Sequence, residues 1–117
     1  MIDHQFDIAS RVENGRLVLE MRGDINSAAA ARLEEAYQGL DDPAVEGVVL
    51  DFEKVEYINS TGIALIVALL ARARAADKDV VAFGLTEHYR QIFQITRLAD
   101  FVGIYPDRSS ALRAVAT

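Results

Sequence analysis

The stretch that most constrains the fold is a strand-like segment followed closely by a helix-like one. Gly47–Phe52 is an apolar run rich in Val and Leu, which predicts a strand buried on both faces. After a polar interval, Ile63–Leu70 is apolar at every position, which predicts a helix buried all round, between the sheet and its neighbouring helices. Between them stand Asn59, Ser60 and Thr61, residue types that cap helix N-termini. Small polar groups are thus expected where a loop leaves a central strand, which is where open α/β folds usually place functional residues.

The flanking segments predict an alternating α/β chain. Asn14-Gly15 between two β-type runs is a strong signal for a hairpin, because both residues accept positive φ. The predicted elements are strands Phe6–Val12, Arg16–Met21 and Val80–Phe83, a short strand within Leu98–Ile104, and helices Ala28–Leu40, Glu87–Thr96 and Arg108–Val115. This order predicts a mixed sheet of four to five strands, with an N-terminal antiparallel hairpin followed by parallel βα units, and about four helices. Residues 1–117 are expected to form one domain.

Composition narrows the classes of function. The chain has 12 Lys and Arg against 18 Asp and Glu, a net charge of −6, which disfavours binding to nucleic acid or to an anionic membrane. There is no Cys, so disulfides and thiolate chemistry are excluded. The N-terminal residues lack a signal pattern, and the longest apolar run, Ile63–Ala71, is far short of the roughly 20 residues that span a bilayer. A cytoplasmic protein is expected.

Signals for catalysis are weak. Ser60 has the strand–turn–helix context of a hydrolase nucleophile, but that motif requires Gly where this chain has Ile58. No Gly-rich phosphate loop is present. Asp24, Asp51 and Glu53 could in principle hold Mg²⁺, although a solvated strand end is the favoured interpretation of Asp51 and Glu53. The sequence therefore predicts no enzyme, no cofactor and no metal site.

Two motifs carry a resemblance to a known family. Val55–Ile63, with the sequence VEYINSTGI, resembles the signature loop of STAS domains, specifically the bacterial anti-sigma-factor antagonists. That loop usually has a hydrophobic residue, then Asp-Ser-Ser/Thr-Gly, and then an apolar helix. Gly23–Asn26 resembles the Gly-Glu-Leu-Asp turn that precedes the first helix of these proteins. The resemblance extends over nearly the whole chain, including Ile104-Tyr105 and Ala111 near the C-terminus.

The resemblance implies a phosphorylation switch. Ser60 would be the phosphoacceptor of a partner that is both a serine kinase and an anti-sigma factor. The unphosphorylated chain would bind that partner, and a phosphatase of the PP2C type would reset the cycle. The residues implied in partner binding are Asp24, Asn26, Asn59, Thr61, Gly62 and Ile63. Asn59 and Asn26 depart from the family pattern, which has Asp at both positions, so this loop is less acidic than usual.

Three alternatives stay open on the sequence. Ser60 could be a plain helix cap with no regulatory role. The chain could be a non-switching STAS subunit of a lipid-transport or stress-signalling complex. A small nucleotide could bind at the start of the helix, although no basic or Gly-rich cradle supports it.

Overall fold

A computed structural model describes residues 4–114 as a five-stranded mixed sheet with four α-helices. In chain order the elements are β1 (Asp7–Glu13), β2 (Arg16–Ile25), α1 (Ala30–Tyr37), β3 (Gly47–Ile58), α2 (Ser60–Ala75), β4 (Asp79–Phe83), α3 (Glu87–Ile95), β5 (Gly103–Tyr105) and α4 (Arg108–Ala114). The strands lie in the order β1-β2-β3-β4-β5, with β1 and β2 antiparallel and every later pair parallel. The predicted fold class is confirmed. In this part of the chain no helix has the length and hydropathy needed to cross a membrane.

The hairpin between β1 and β2 forms where the sequence predicts it. Asn14 and Gly15 have φ values of 50° and 81°, and Glu13 pairs with Arg16 across the turn. Positive φ at both central residues matches the right-handed twist of the flanking strands. The two turn residues therefore set the register of the whole hairpin.

The helix ends differ somewhat from the prediction. The segment predicted as one helix over Ala28–Leu40 consists of α1 with a 3₁₀ turn at each end, Ser27–Ala29 and Gln38–Asp41. Thr86 caps α3 as expected, with its hydroxyl accepting a hydrogen bond from the Tyr89 amide at 3.4 Å. The predicted end of α4 at Val115 lies outside the described residues.

Both β2 and β3 run further than their apolar segments predict. β2 continues past Met21 to Ile25, and β3 continues past Phe52 to Ile58. The added residues pair with each other through two register shifts, and Gly23, with a φ of 84°, lies at one of them. Glu53, Lys54, Glu56 and Tyr57 in this part of β3 are exposed, so these side chains can be polar although the backbone is strand. The polar interval is strand, not loop.

The prediction that α2 is buried all round is wrong. One side packs on the core through Gly62, Ile66, Leu69, Leu70 and Ala73. The opposite side is exposed and consists of Ala64, Val67, Ala68 and Ala71, which we call the outer face of α2. Val67 is 43% exposed. α2 lies in the outer layer of the fold, so only one of its sides packs on the core. An all-apolar sequence has no polar positions to mark the exposed side.

The sheet separates two apolar clusters of unequal size. The larger cluster lies between the sheet and helices α1, α2 and α3. The smaller one lies on the other face under α4, and contains Val18, Val49, Val81, Phe83 and Ala111. Alternate residues of β2, β3 and β4 contribute to the two clusters, as the two-residue period of a strand requires. The helix that carries Ser60 belongs to the larger cluster.

Candidate functional site

The ends of β2 and β3 bring the two sequence motifs together. The Asn59 amide donates to the Ile25 carbonyl at 3.2 Å. Gly62 lies so close to Ile25 that any Cβ there would collide with the Ile25 carbonyl oxygen. Asp24 and Asn26 flank that residue in the chain, so the predicted partner-binding residues of both motifs share one edge of the sheet. The two motifs are therefore adjacent in space.

The residue that caps α2 is Asn59. Its backbone is extended, with φ −89° and ψ −177°, and its side-chain Oδ1 accepts from the Gly62 amide at 2.8 Å. Its carbonyl accepts from the Ile63 amide at 2.9 Å. Ser60 is the first helical residue, and its side chain is exposed. The interpretation of Ser60 as a plain cap is therefore wrong, because Asn59 already performs that role.

Ser60 and Thr61 present free polar groups at the start of α2. Both residues are exposed, whereas Gly62 is buried and Ile63 is half-buried. The first amides of a helix have no partner within the helix, and this end of the helix carries the positive end of its dipole. An anionic group on either hydroxyl would therefore meet favourable electrostatics. Chemically, the arrangement can accommodate an anionic group at the start of α2.

Asn26 and Asp24 line the β2 side of the site. Asn26 caps the turn that leads into α1, and its Oδ1 accepts from the Ala28 amide at 3.0 Å. The Asp24 Oδ1 lies 3.6 Å from Nδ1 of His4, whose Nε2 lies 3.0 Å from a carboxylate oxygen of Glu56. His4 thus bridges β2 and β3 beside the site. Sequence reasoning missed this contact, because nothing in the spacing of the three residues signals it.

Asp51 and Glu53 do not belong to the site. Asp51 lies in the middle of β3, is 8% exposed, and accepts a hydrogen bond from the Glu53 amide at 2.9 Å. The interpretation of a solvated strand end is wrong for Asp51, since β3 continues to Ile58. Within residues 4–114, no group of three or more His, Asp or Glu side chains is arranged to hold a metal ion.

Two tyrosine hydroxyls form hydrogen bonds with backbone groups in α2 or just before it. The sequence alone signals neither bond. The Tyr89 hydroxyl of α3 accepts from the buried Ile58 amide at 2.8 Å. The Tyr37 hydroxyl of α1 donates to the Leu65 carbonyl at 2.9 Å. Burial raises the pKa of Tyr37 well above its ordinary value, so this hydroxyl keeps its proton at physiological pH. Apolar periodicity alone marks both tyrosines as core residues and shows neither bond.

The basic residues at the end of α2 already have partners. The guanidinium of Arg72 contacts carboxylate oxygens of Glu34 and Asp41, each at 3.1 Å. Arg74 lies over the ring of Phe101, 5.2 Å from its centroid. A recess of about 660 Å³ lies near this end of α2, at the edge of the sheet opposite Ser60. It does not include the candidate site.

The chain is similar to known proteins both in sequence and in fold. A family model described as "Mlab, STAS domain" matches residues 8–104. The chain is 30% identical over 103 residues to BtrV of Bordetella bronchiseptica, covering 88% of this chain and 86% of that protein. It is 32% identical over 84 residues to the anti-sigma-B factor antagonist of Listeria monocytogenes, covering 70% and 72%. The fold is similar to that of the anti-sigma factor antagonist SpoIIAA in its unphosphorylated form, with a TM-score of 0.75 at 15% identity over 97% of this chain and 100% of that one. The phosphorylated form of SpoIIAA from Bacillus gives a TM-score of 0.71 at 16% identity, over 94% and 99%.

Proposed function

The chain belongs to the STAS domain family, and on that premise we propose that it is a bacterial anti-sigma-factor antagonist controlled by phosphorylation of Ser60. In the proposed cycle the unphosphorylated chain binds an anti-sigma factor that is also a serine kinase. Phosphorylation releases the complex, and a PP2C-type phosphatase restores the binding form. The proposed role is that of a cytoplasmic binding protein rather than an enzyme, with residues 1–117 as one STAS domain.

The observation that carries this proposal is the division of labour between Asn59 and Ser60. Asn59 caps α2, so the exposed Ser60 hydroxyl is not needed to complete the helix. A phosphoryl group on Ser60 would add nearly two negative charges next to the unpaired amides at the helix start. The helix dipole favours negative charge at that end. The domain should therefore accept the modification without unfolding.

The outer face of α2 explains how such a modification would break an interface. Ser60 and Thr61 begin an exposed stripe that continues along the helix through Ala64 and Val67 to Ala71. A continuous exposed apolar stripe of this kind is typical of a protein-binding surface. A partner that packs on this stripe would cover Ser60, and a phosphate there would be buried without a counter-charge. The related fold of SpoIIAA, known in both phosphorylated and unphosphorylated forms, supports this proposal.

We expect Ser60 to be the residue that an anti-sigma kinase phosphorylates. The test incubates the purified chain with ATP and the anti-sigma kinase encoded in the same genome, and maps the phosphate by mass spectrometry. Ser60→Ala should lose the label, whereas the control Ser10→Ala, at an exposed hydroxyl on β1 away from the site, should keep it. Label that persists in Ser60→Ala would overturn the assignment.

A charge on the outer face of α2 should weaken partner binding. We expect Val67→Glu to reduce affinity for the anti-sigma factor by roughly tenfold or more, because a carboxylate would be desolvated in the interface. Val12→Glu is the matched control, since Val12 is a comparably exposed valine on β1. Calorimetric titration measures both variants. Equal effects of the two substitutions would show that this face of α2 is not the interface.

Asn59 favours one alternative, a non-switching STAS subunit of a lipid-transport or stress-signalling complex. The family usually has Asp before its phosphoacceptor, and a kinase that requires that charge would not recognise this loop. In that case the outer face of α2 would hold a permanent partner. Stable binding with no phosphate on Ser60 would favour this alternative, as would transporter genes next to the gene for this chain.

A further inference from the structure

The last residue of β3 has a backbone amide that faces away from β2, on the side where no strand of residues 4–114 pairs with it. β3 pairs with β4 only as far as Asp51 and Phe83, then continues alone on that side to Ile58. On its other side β3 stays paired with β2, where the next amide, that of Asn59, donates to the Ile25 carbonyl. Successive strand amides point in opposite directions, so the Ile58 amide points to the side from which β4 is missing.

Tyr89 takes the place of the missing strand. Its hydroxyl oxygen accepts the hydrogen bond from the Ile58 amide at 2.8 Å. Both residues are buried, with Ile58 5% and Tyr89 6% exposed. A buried amide without a partner is costly, so this single bond from α3 replaces a contact that a strand would otherwise supply.

We propose that Tyr89 is a positioning residue for the phosphoacceptor Ser60. The chain just before Ser60 is held at two successive amides, at Ile58 by α3 and at Asn59 by β2. These two anchors point in opposite directions and fix the approach to the helix start. Sites held by a rigid supporting contact react and bind more efficiently than loosely held ones. The inference rests on the proposed role of Ser60 and adds α3 as the element that sets its position.

Removal of one oxygen atom isolates this effect. Tyr89→Phe keeps the ring and its packing but leaves the buried Ile58 amide unpaired. The end of β3 should then open locally, and Ser60 should sample positions that a kinase does not recognise. We expect the kcat/KM for Ser60 phosphorylation to fall about five- to tenfold, and exchange of the Ile58 amide to accelerate at least tenfold.

Tyr37→Phe is the matched control. It also removes one buried hydroxyl bonded to the backbone, but that bond joins α1 to Leu65, in the second turn of α2. We expect Tyr37→Phe to lose no more global stability than Tyr89→Phe in denaturant titrations, because the Leu65 carbonyl lies inside α2 and keeps its helical hydrogen bond, whereas the Ile58 amide is left unpaired. Only Tyr89→Phe should slow phosphorylation and expose the Ile58 amide. Equal effects of both variants on phosphorylation would overturn the positioning role.

Amide exchange of the unmodified chain provides a test that needs neither a partner nor a foldable variant. In ¹⁵N-resolved exchange experiments the Ile58 amide should be protected to the same order as the Val49 amide in the core of β3. Rapid exchange of Ile58 would overturn the proposal even if Ser60 is phosphorylated. Protection of Ile58 in a chain that no anti-sigma kinase phosphorylates would instead count against the proposed function and leave the anchor at Ile58 supported.

Discussion

Ser60→Asp is expected to reduce affinity for the anti-sigma factor by at least about 100-fold, because a carboxylate buried without a counter-charge costs roughly 3–5 kcal/mol. The same substitution should leave the free energy of unfolding nearly unchanged or slightly higher. Ser60 is the first residue of α2, and negative charge is favourable in the first turn of a helix. Titration calorimetry and denaturant unfolding on the same sample measure the two effects.

Ser60→Ala separates the charge from the loss of the hydroxyl. Because Asn59 provides the cap, Ser60→Ala should keep both stability and binding. A large loss of stability in either variant would mean that Ser60 supports the helix after all. Binding by Ser60→Asp at the level of the unmodified chain would rule out a switch at this position.

Gly62→Ala should destabilise the fold by about 1–3 kcal/mol, typical of overpacking. A Cβ at this position would lie 2.9 Å from Cγ2 of Ile58 and would overlap the carbonyl oxygen of Ile25. The backbone of β2 would have to move away from α2, at the edge where the two motifs meet. Intrinsic helix propensity predicts the opposite, a gain of about 1 kcal/mol for Gly to Ala. The sign of the change in the free energy of unfolding, measured by denaturant unfolding, therefore shows whether helix propensity or the close contact with Ile25 dominates.

Ala64→Gly provides the comparison on the same helix. Ala64 belongs to the exposed outer face of α2, so Ala64→Gly neither relieves a close contact nor removes a packing contact in the core. It should cost about 1 kcal/mol from helix propensity alone. If Gly62→Ala raises stability by a similar amount, the close approach of α2 to Ile25 has no energetic consequence and the packing argument fails.

Much of the fold can be predicted from local signals in the sequence. The Asn14-Gly15 turn, the Thr86 cap and the order of elements depend on short stretches of chain, and the structure confirms all three. The site motifs are also local, and they are adjacent because parallel strands bring their carboxyl ends to one edge. Which residue caps α2 cannot be predicted from the sequence, since Asn59, Ser60 and Thr61 all have side chains suited to capping.

What the sequence could not reveal depends on contacts between distant elements. Polar residues between Phe52 and Ile58 suggest a loop, but they form strand because β2 extends in parallel and β4 stops early. The apolar segment of α2, Ile63–Leu70, predicts burial on all sides, because it carries no polar residues that would mark the side left uncovered. Tyr89 looks like any core aromatic residue until its hydroxyl is found at the Ile58 amide.

In the proposed cycle, Asn59 would also affect signalling fidelity in a cell that holds several antagonist–partner pairs. Its Oδ1 is engaged with the Gly62 amide, so the remaining hydrogen-bonding group of this side chain is its NH₂, a donor. A carboxylate would offer only acceptors and a negative charge there. A partner that pairs a cation with a carboxylate at this position would meet no negative charge at Asn59, and its binding would be disfavoured. In the proposed cycle, exchange of one carboxylate oxygen for a nitrogen would therefore insulate this chain from partners that require that charge, and would limit cross-talk between parallel pathways.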